Sequence, residues 1–304
     1  MARVRWHAEP MISEVDGSAA LEGWRIFVPG RARHVAHNAR FFAEYRLPIA
    51  RKAPLGYLGE AIRGRIETDE ERRLLAQARG NDDVCWAATD EAEPLVTVRI
   101  ATYNRGPLVA ERAISSATRQ TYERLEILVI GDHCDEATER AIRSVRDPRL
   151  RFINLAERGL YPADPTLRWM VAGAAPMNAA LAIAQGAWIA PCDDDDEMTD
   201  DHVEVLLHEA RRRRLEFVWS KAIMEVESNT WKEVGKLPLA CGAISHGSVL
   251  HARGLRFFRY NENSWKLAEP GDWNRWRRMK AAGVKMGFVD RVTYRHYLEA
   301  YRRA

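Results

Sequence analysis

From residue 94 onward, short apolar runs rich in β-formers alternate with segments of helical period, and this alternation restricts the fold more than any other feature. Strands are expected at 95–101, 126–130, 150–155 and 187–192. Helices are expected at 108–120 and 177–185, the second ending at Gly186 as a left-handed cap. Asp135 caps another, with Ala137, Ala141, Ile142 and Val145 inward. Thr199 or Asp200 caps a fourth, with Val203, Leu206, Leu207 and Ala210 inward. The class is therefore α/β, a mostly parallel sheet flanked by helices on both faces. Ligands bind such sheets outside the carboxyl ends of the strands.

Residues 1–93 lack this alternation and read as an accessory segment packed on the main unit, 94–304. They carry helical patterns around 34–45 and 68–79, the latter capped by Thr68 with Glu71 three residues on. The stretch to Ile66 is rich in Arg and that from Glu67 to Glu93 is acidic. No strong apolar stripe marks an oligomer or membrane contact there, so homo-oligomerisation is left open.

A net charge of +3 over 304 residues is too small for a protein that works on nucleic acid. Cys85, Cys134, Cys192 and Cys241 show no metal-ligand spacing and read as reduced thiols. The N-terminus has no apolar signal core, and no run reaches the roughly 18 apolar residues of a transmembrane helix. A cytoplasmic protein is expected.

The expected strand ends bring three polar clusters to one edge: Thr102–Tyr103–Asn104–Arg105, Gly131–Asp132–His133, and Asp193–Asp194–Asp195–Asp196. Four adjacent carboxylates after a buried strand repel one another unless a cation compensates, which favours a hard divalent metal over a solvated face. A Walker-type phosphate loop is missing, since Gly235–Lys236 is followed by Leu237. No G-x-G-x-x-G follows the first strand, and neither G-x-S-x-G nor H-E-x-x-H occurs.

In order and spacing these residues resemble the family-2 glycosyltransferases, which have the GT-A fold. The likeness rests on V-T-V-R-I-A-T-Y-N-R with Ser116 to Tyr122, E-I-L-V-I-G-D at 126–132, N-x-x-L-x-x-A-x-G at 178–186, the four aspartates, and G-D-W at 271–273. The pattern through 244–253 and at Gly271–Asp272 is similar to that of bacterial spore-coat polysaccharide glycosyltransferases.

The resemblance implies a nucleotide-sugar-binding half, 94–200, and an acceptor-binding half, 201–304. It implies a UDP-, dTDP- or GDP-sugar donor, a hydroxyl acceptor, Mn2+ or Mg2+, and inversion at the anomeric carbon. Thr102, Tyr103, Asn104, Arg105, Asp132, Asp193 and Asp194 would bind the donor, with Tyr103 stacking on the base and Asp132 accepting a pyrimidine N–H. Asp195, helped by Asp193, would hold the metal, and Asp272 would be the base. Departures from the pattern are Gly131 for a first Asp, Ala180 for a Gly, and Met177 for a basic residue, which shifts phosphate contact to Arg168 or Arg158. Glu269 competes as base or contacts the acceptor, alongside Trp265, Trp273 and His246, while His296 approaches the metal or phosphate. Two other readings are a sugar nucleotidyltransferase and a non-catalytic carbohydrate-binding protein. The single Gly in 101–106 opposes the first, and the retained aspartates oppose the second.

Overall fold

A computed structural model describes residues 53–80, 93–227 and 229–298; the expected helical pattern at 34–45 and Cys85 lie outside them. Strands β1 (Val96–Thr102), β2 (Leu125–Gly131), β3 (Leu150–Asn154) and β4 (Trp188–Asp193) form the parallel half of one sheet, in the order β3-β2-β1-β4. Beyond β4 the sheet becomes mixed, running on through β8 (Val249–Ala252), β6 (Phe217–Glu227), β9 (Met286–His296) and β5 (Glu197–Met198). The short β7 (Thr230–Val234) hangs on β6.

Alternation along β2 sends Ile127 and Val129 to one face, and Leu128 and Ile130 to the other. The first face packs on α2, the helical segment 107–118, through Val109, Ala113, Ile114 and Ala117. The second packs on α5 (Ala174–Ile183) through Ala174, Ala180 and Leu181. Both faces are covered, as a parallel sheet requires. Helix α3 (Glu136–Ser144) begins where expected, Asp135 accepting the Thr138 N–H at 2.8 Å. The remaining helices are α4 (Pro165–Val171), α6 (His202–Arg212) and α7 (Gly271–Ala282).

Three local expectations are corrected. Gly186 is not a left-handed cap: α5 ends at Ile183 with Ala184 as its cap residue, and a Cβ on Gly186 would stand 2.4 Å from the Thr97 nitrogen. Close backbone approach, not positive φ, demands glycine there. Neither Thr199 nor Asp200 caps α6, whose flanking residue is Asp201; the Thr199 hydroxyl bonds the Asp201 carboxylate at 2.6 Å. Thr68 starts no helix. It lies in the middle of α1 (Pro54–Gly80), its hydroxyl donating back to Gly64 O at 2.7 Å.

Helix α1 packs on α7 and on the segments beside it largely through polar side chains. Arg278 pairs with buried Glu71, Arg79 forks onto Glu216 with two bonds of 2.7 Å, and Asn261 donates to Glu60 at 2.7 Å. Its outward side shows an apolar stripe the sequence reading did not see: Leu55, Leu58, Ile62 and Ile66, spaced three and four apart, stay exposed. Breaking a buried ion pair from one side strands the other charge. Glu71→Ala is therefore expected to lower stability by about 3 kcal/mol. Urea unfolding checks this, and an unchanged midpoint would mean that α1 does not support the domain.

Candidate active site

The three polar clusters meet at the carboxyl edge of the parallel strands, and two of them contain a left-handed residue, Asn104 and His133. Asn104 takes a left-handed turn (φ 49°), a conformation asparagine enters more readily than most residues, and its side chain accepts the Asp135 N–H at 2.8 Å from the next strand-end loop. The turn brings Arg105 back over the aspartates. Its guanidinium reaches Asp194 at 3.2 Å and Asp195 at 3.1 Å. Within α2, residues Ala110–Ile114 form a π-turn, from which Arg112 donates to the Asp195 carbonyl at 3.1 Å.

Asp193 and Asp196 are held by the far side of the sheet. His246 Nδ1 donates to Asp193 Oδ1 at 2.6 Å. Tyr294 Oη accepts the Asp193 N–H and donates to Asp196 Oδ2, both at 3.0 Å. His296 Nδ1 donates to the same oxygen at 2.7 Å, and the Tyr297 N–H to Asp196 Oδ1 at 2.9 Å. Tyr294 and His296 alternate along β9 and so share one face. Gly247 makes room for the tyrosine, since a Cβ there would lie 1.9 Å from its ring.

These carboxylates respond in opposite directions. Burial alone would raise Asp193, but the charge and hydrogen bond of His246 overcome it and hold Asp193 at about 2. Burial and the Asp195 charge push Asp194 up to about 7 against the pull of Arg105. Burial also raises Asp195, and it lifts Asp196 to about 6 despite His296. The imidazoles answer in kind: burial would lower both, yet Asp193 raises His246 to about 10, and Asp196 raises His296 to about 9.

One oxygen each from Asp193 and Asp196 and one His296 nitrogen lie within 4.8 Å of one another, among the described residues a donor set that fits a divalent cation. Asp193 was expected there. Asp195 was expected too; it pairs with Arg105 at 3.1 Å.

Asp132 is 2 % exposed and faces the loop after β3, accepting the Gly159 N–H at 2.8 Å and the Tyr161 hydroxyl at 2.6 Å. Arg158, from the same loop, lies 3.7 Å over the ring of Tyr103, which is 38 % exposed. Thr102 is buried beside them, its carbonyl accepting the Asp132 N–H at 2.8 Å. Arg168 sits half-buried on α4 and takes no part in the aspartate network.

Asp272 stands in the first turn of α7 and accepts the N–H of Trp273 at 2.6 Å. Burial raises its carboxyl above the ordinary range, the His246 charge opposes this, and Asp193 adds to it, so the three groups share one field. Glu269 is only 4 % exposed and turned inward, held by Asn274 at 2.7 Å and Arg277 at 2.9 Å. Trp265 packs against Met170, Val171 and Ala268, while Trp273 lies half-buried on the main core.

The loop after β3 hangs on Asp132. Asp132→Ala is expected to cost about 2 kcal/mol by stranding its buried donors, and to speed hydrogen exchange at the Gly159 amide. Unaltered protection of that amide would show that the loop is held elsewhere.

Comparison with known proteins identifies the family and the fold. The model of Glycosyl transferase family 2 matches residues 97–163 and 167–283. The putative colanic acid biosynthesis glycosyl transferase WcaA of Escherichia coli is 33% identical over 118 residues, covering 38% of this chain and 37% of that protein. Protein CgeD of Bacillus subtilis is 25% identical over 202 residues, covering 60% of this chain and 46% of CgeD. The matches thus span less than half of these relatives. Among solved structures, the crystal structure of S. aureus TarS 1–349 in complex with UDP superposes with a TM-score of 0.52 at 15% identity, over 67% of this chain and 60% of that one. The fold is the α/β architecture of that structure, and the chain belongs to Glycosyl transferase family 2.

Proposed function

We propose that this enzyme moves a sugar from a nucleoside-diphosphate donor to a hydroxyl acceptor, with inversion and with a divalent cation. The observation that carries this reading is the gathering of Asp193, Asp196 and His296 at the carboxyl edge of the parallel strands, with their ligand atoms within 4.8 Å of one another. The UDP bound by the similar TarS structure supports the donor class. The catalytic unit is 94–304, its donor half 94–200 and its acceptor half 201–304, with α1 as an accessory helix against α7.

Asp193, Asp196 and His296 would hold the cation, a set of two carboxylates and one imidazole that suits Mn2+ better than Mg2+. Bound there, the cation would offset the charge that develops on the departing diphosphate. His296 must give up a proton before it can act as a ligand. Arg105 holds Asp194 and Asp195 and keeps a positive charge at the same edge for phosphate oxygens. Tyr103 and Arg158 present a flat stacked face for the base, next to Asp132. A carboxylate has about four lone-pair sites, so Asp132 can accept a base N–H beside its two protein donors. Half-buried Trp265 and Trp273 flank the start of α7 and offer apolar surface to an acceptor sugar.

Asp272 takes the acceptor's proton as the new bond forms. As a base it must be ionised, and burial has raised its pKa, so activity is lost as pH falls through that raised value. Asp272→Asn is nearly isosteric. It is expected to keep nucleotide binding while transfer from UDP-GlcNAc or GDP-mannose falls by about 100-fold or more. Glu269→Gln acts mainly on stability, because its carboxylate is bonded within the protein. Kinetics of the two variants decide the roles: near-normal turnover in Asp272→Asn, with loss in Glu269→Gln, would reverse them.

A further inference from the structure

Strand β1 carries one charged residue, Arg99. Arg99 is 1 % exposed, in the middle of a buried strand, and its hydrogen-bond partners among the described residues are His246 and Tyr260 rather than a carboxylate. Its Nη2 donates to Tyr260 Oη at 2.8 Å and lies 3.0 Å from His246 Nε2. His246 Nε2 is itself 2.8 Å from Tyr260 Oη. Two cationic donors therefore converge on one phenol oxygen, and the other nitrogen of His246 donates to Asp193.

Tyr260 is fixed from three further directions. Asn178 on α5 brackets its backbone, accepting the Tyr260 N–H at 2.8 Å and donating to its carbonyl at 3.0 Å. The Arg275 guanidinium lies 4.9 Å from the ring centroid, and Trp276 meets the ring edge-on at 6.5 Å. Trp276 also stacks on His246 at 6.2 Å. Every member is held by packing, so the imidazole has little freedom to turn away from Asp193.

We infer that Arg99, Tyr260 and Asn178 are positioning residues: through His246 they fix the first aspartate of the acidic run where the donor diphosphate binds. This deepens the functional reading above and rests on it. Asn178 and Asp193 lie on separate elements, α5 and the end of β4, and the relay couples them. None of the three residues needs to touch the donor. Their effect passes through the Asp193–His246 bond.

A double-mutant cycle tests this. Tyr260→Phe is made in the native chain and in Asp193→Asn, and affinity for UDP and for GDP is measured by calorimetry with and without Mn2+. In the native background the variant should weaken the Mn2+-dependent affinity about tenfold and leave metal-free affinity within about twofold. In Asp193→Asn it should have almost no further effect. Equal losses in both backgrounds, or no loss in the native one, would overturn the inference, because support for the fold alone acts independently of Asp193. Where Tyr260→Phe does not fold, Arg99→Lys takes its place in the cycle, with the same deciding outcomes.

A second readout needs no nucleotide. The Nδ1 proton of His246 should exchange with water at least about tenfold faster in Tyr260→Phe, followed by proton NMR; an unchanged rate would contradict the relay. Failure of the native chain to bind either nucleotide would instead count against the functional reading, while this exchange rate still decides the relay.

Discussion

Four consecutive carboxylates at the end of a buried strand are the constraint that the rest of the site answers. Ionised carboxylates cannot share a low-dielectric interior unless donors and cations meet them. The structure supplies these unequally. Asp193 receives a cationic imidazole and ionises fully, Asp194 and Asp195 share one guanidinium, and Asp196 is enclosed by Tyr294, His296 and a backbone N–H. The raised values of Asp194 and Asp196 show that this compensation is partial. A site built this way gains from further positive charge, which is what a diphosphate donor needs at its phosphates.

Backbone geometry far from the aspartates decides whether these partners arrive. The left-handed Asn104 turns Arg105 back over the strand ends, and the π-turn in α2 aims Arg112 at the Asp195 carbonyl. The missing side chain of Gly247 lets the Tyr294 ring reach between Asp193 and Asp196. Such features cost conformational energy or demand particular residues, and they cluster at the one edge where charge must be managed.

The parallel strands, the helix capped by Asp135 and the acidic run were legible in the sequence because each rests on local pattern: β-rich apolar runs, a cap residue, or adjacent charges. The same holds for the grouping of Tyr103, Arg105, Asp132 and Asp193, which follows from strand ends meeting at one edge. What local pattern could not show was pairing across distance. His246 meets Asp193 from 53 residues away and His296 meets Asp196 from 100. Glu269 looked like a loop residue facing an acceptor, but Asn274 and Arg277 on α7 capture it. One signal was available and overlooked. An arginine inside V-T-V-R-I-A-T contradicts a buried strand unless a specific partner awaits it, and Tyr260 is that partner.

The central claim is that the acidic edge binds a divalent cation together with a nucleoside diphosphate. Electron paramagnetic resonance tests it directly, since free Mn2+ gives a strong six-line signal that fades when the ion is held by protein. With UDP or GDP present, the native chain is predicted to remove most of that signal at protein concentrations where Asp193→Asn leaves it largely intact. Tight nucleotide binding by the native chain, with Mn2+ remaining free in solution, would contradict the account.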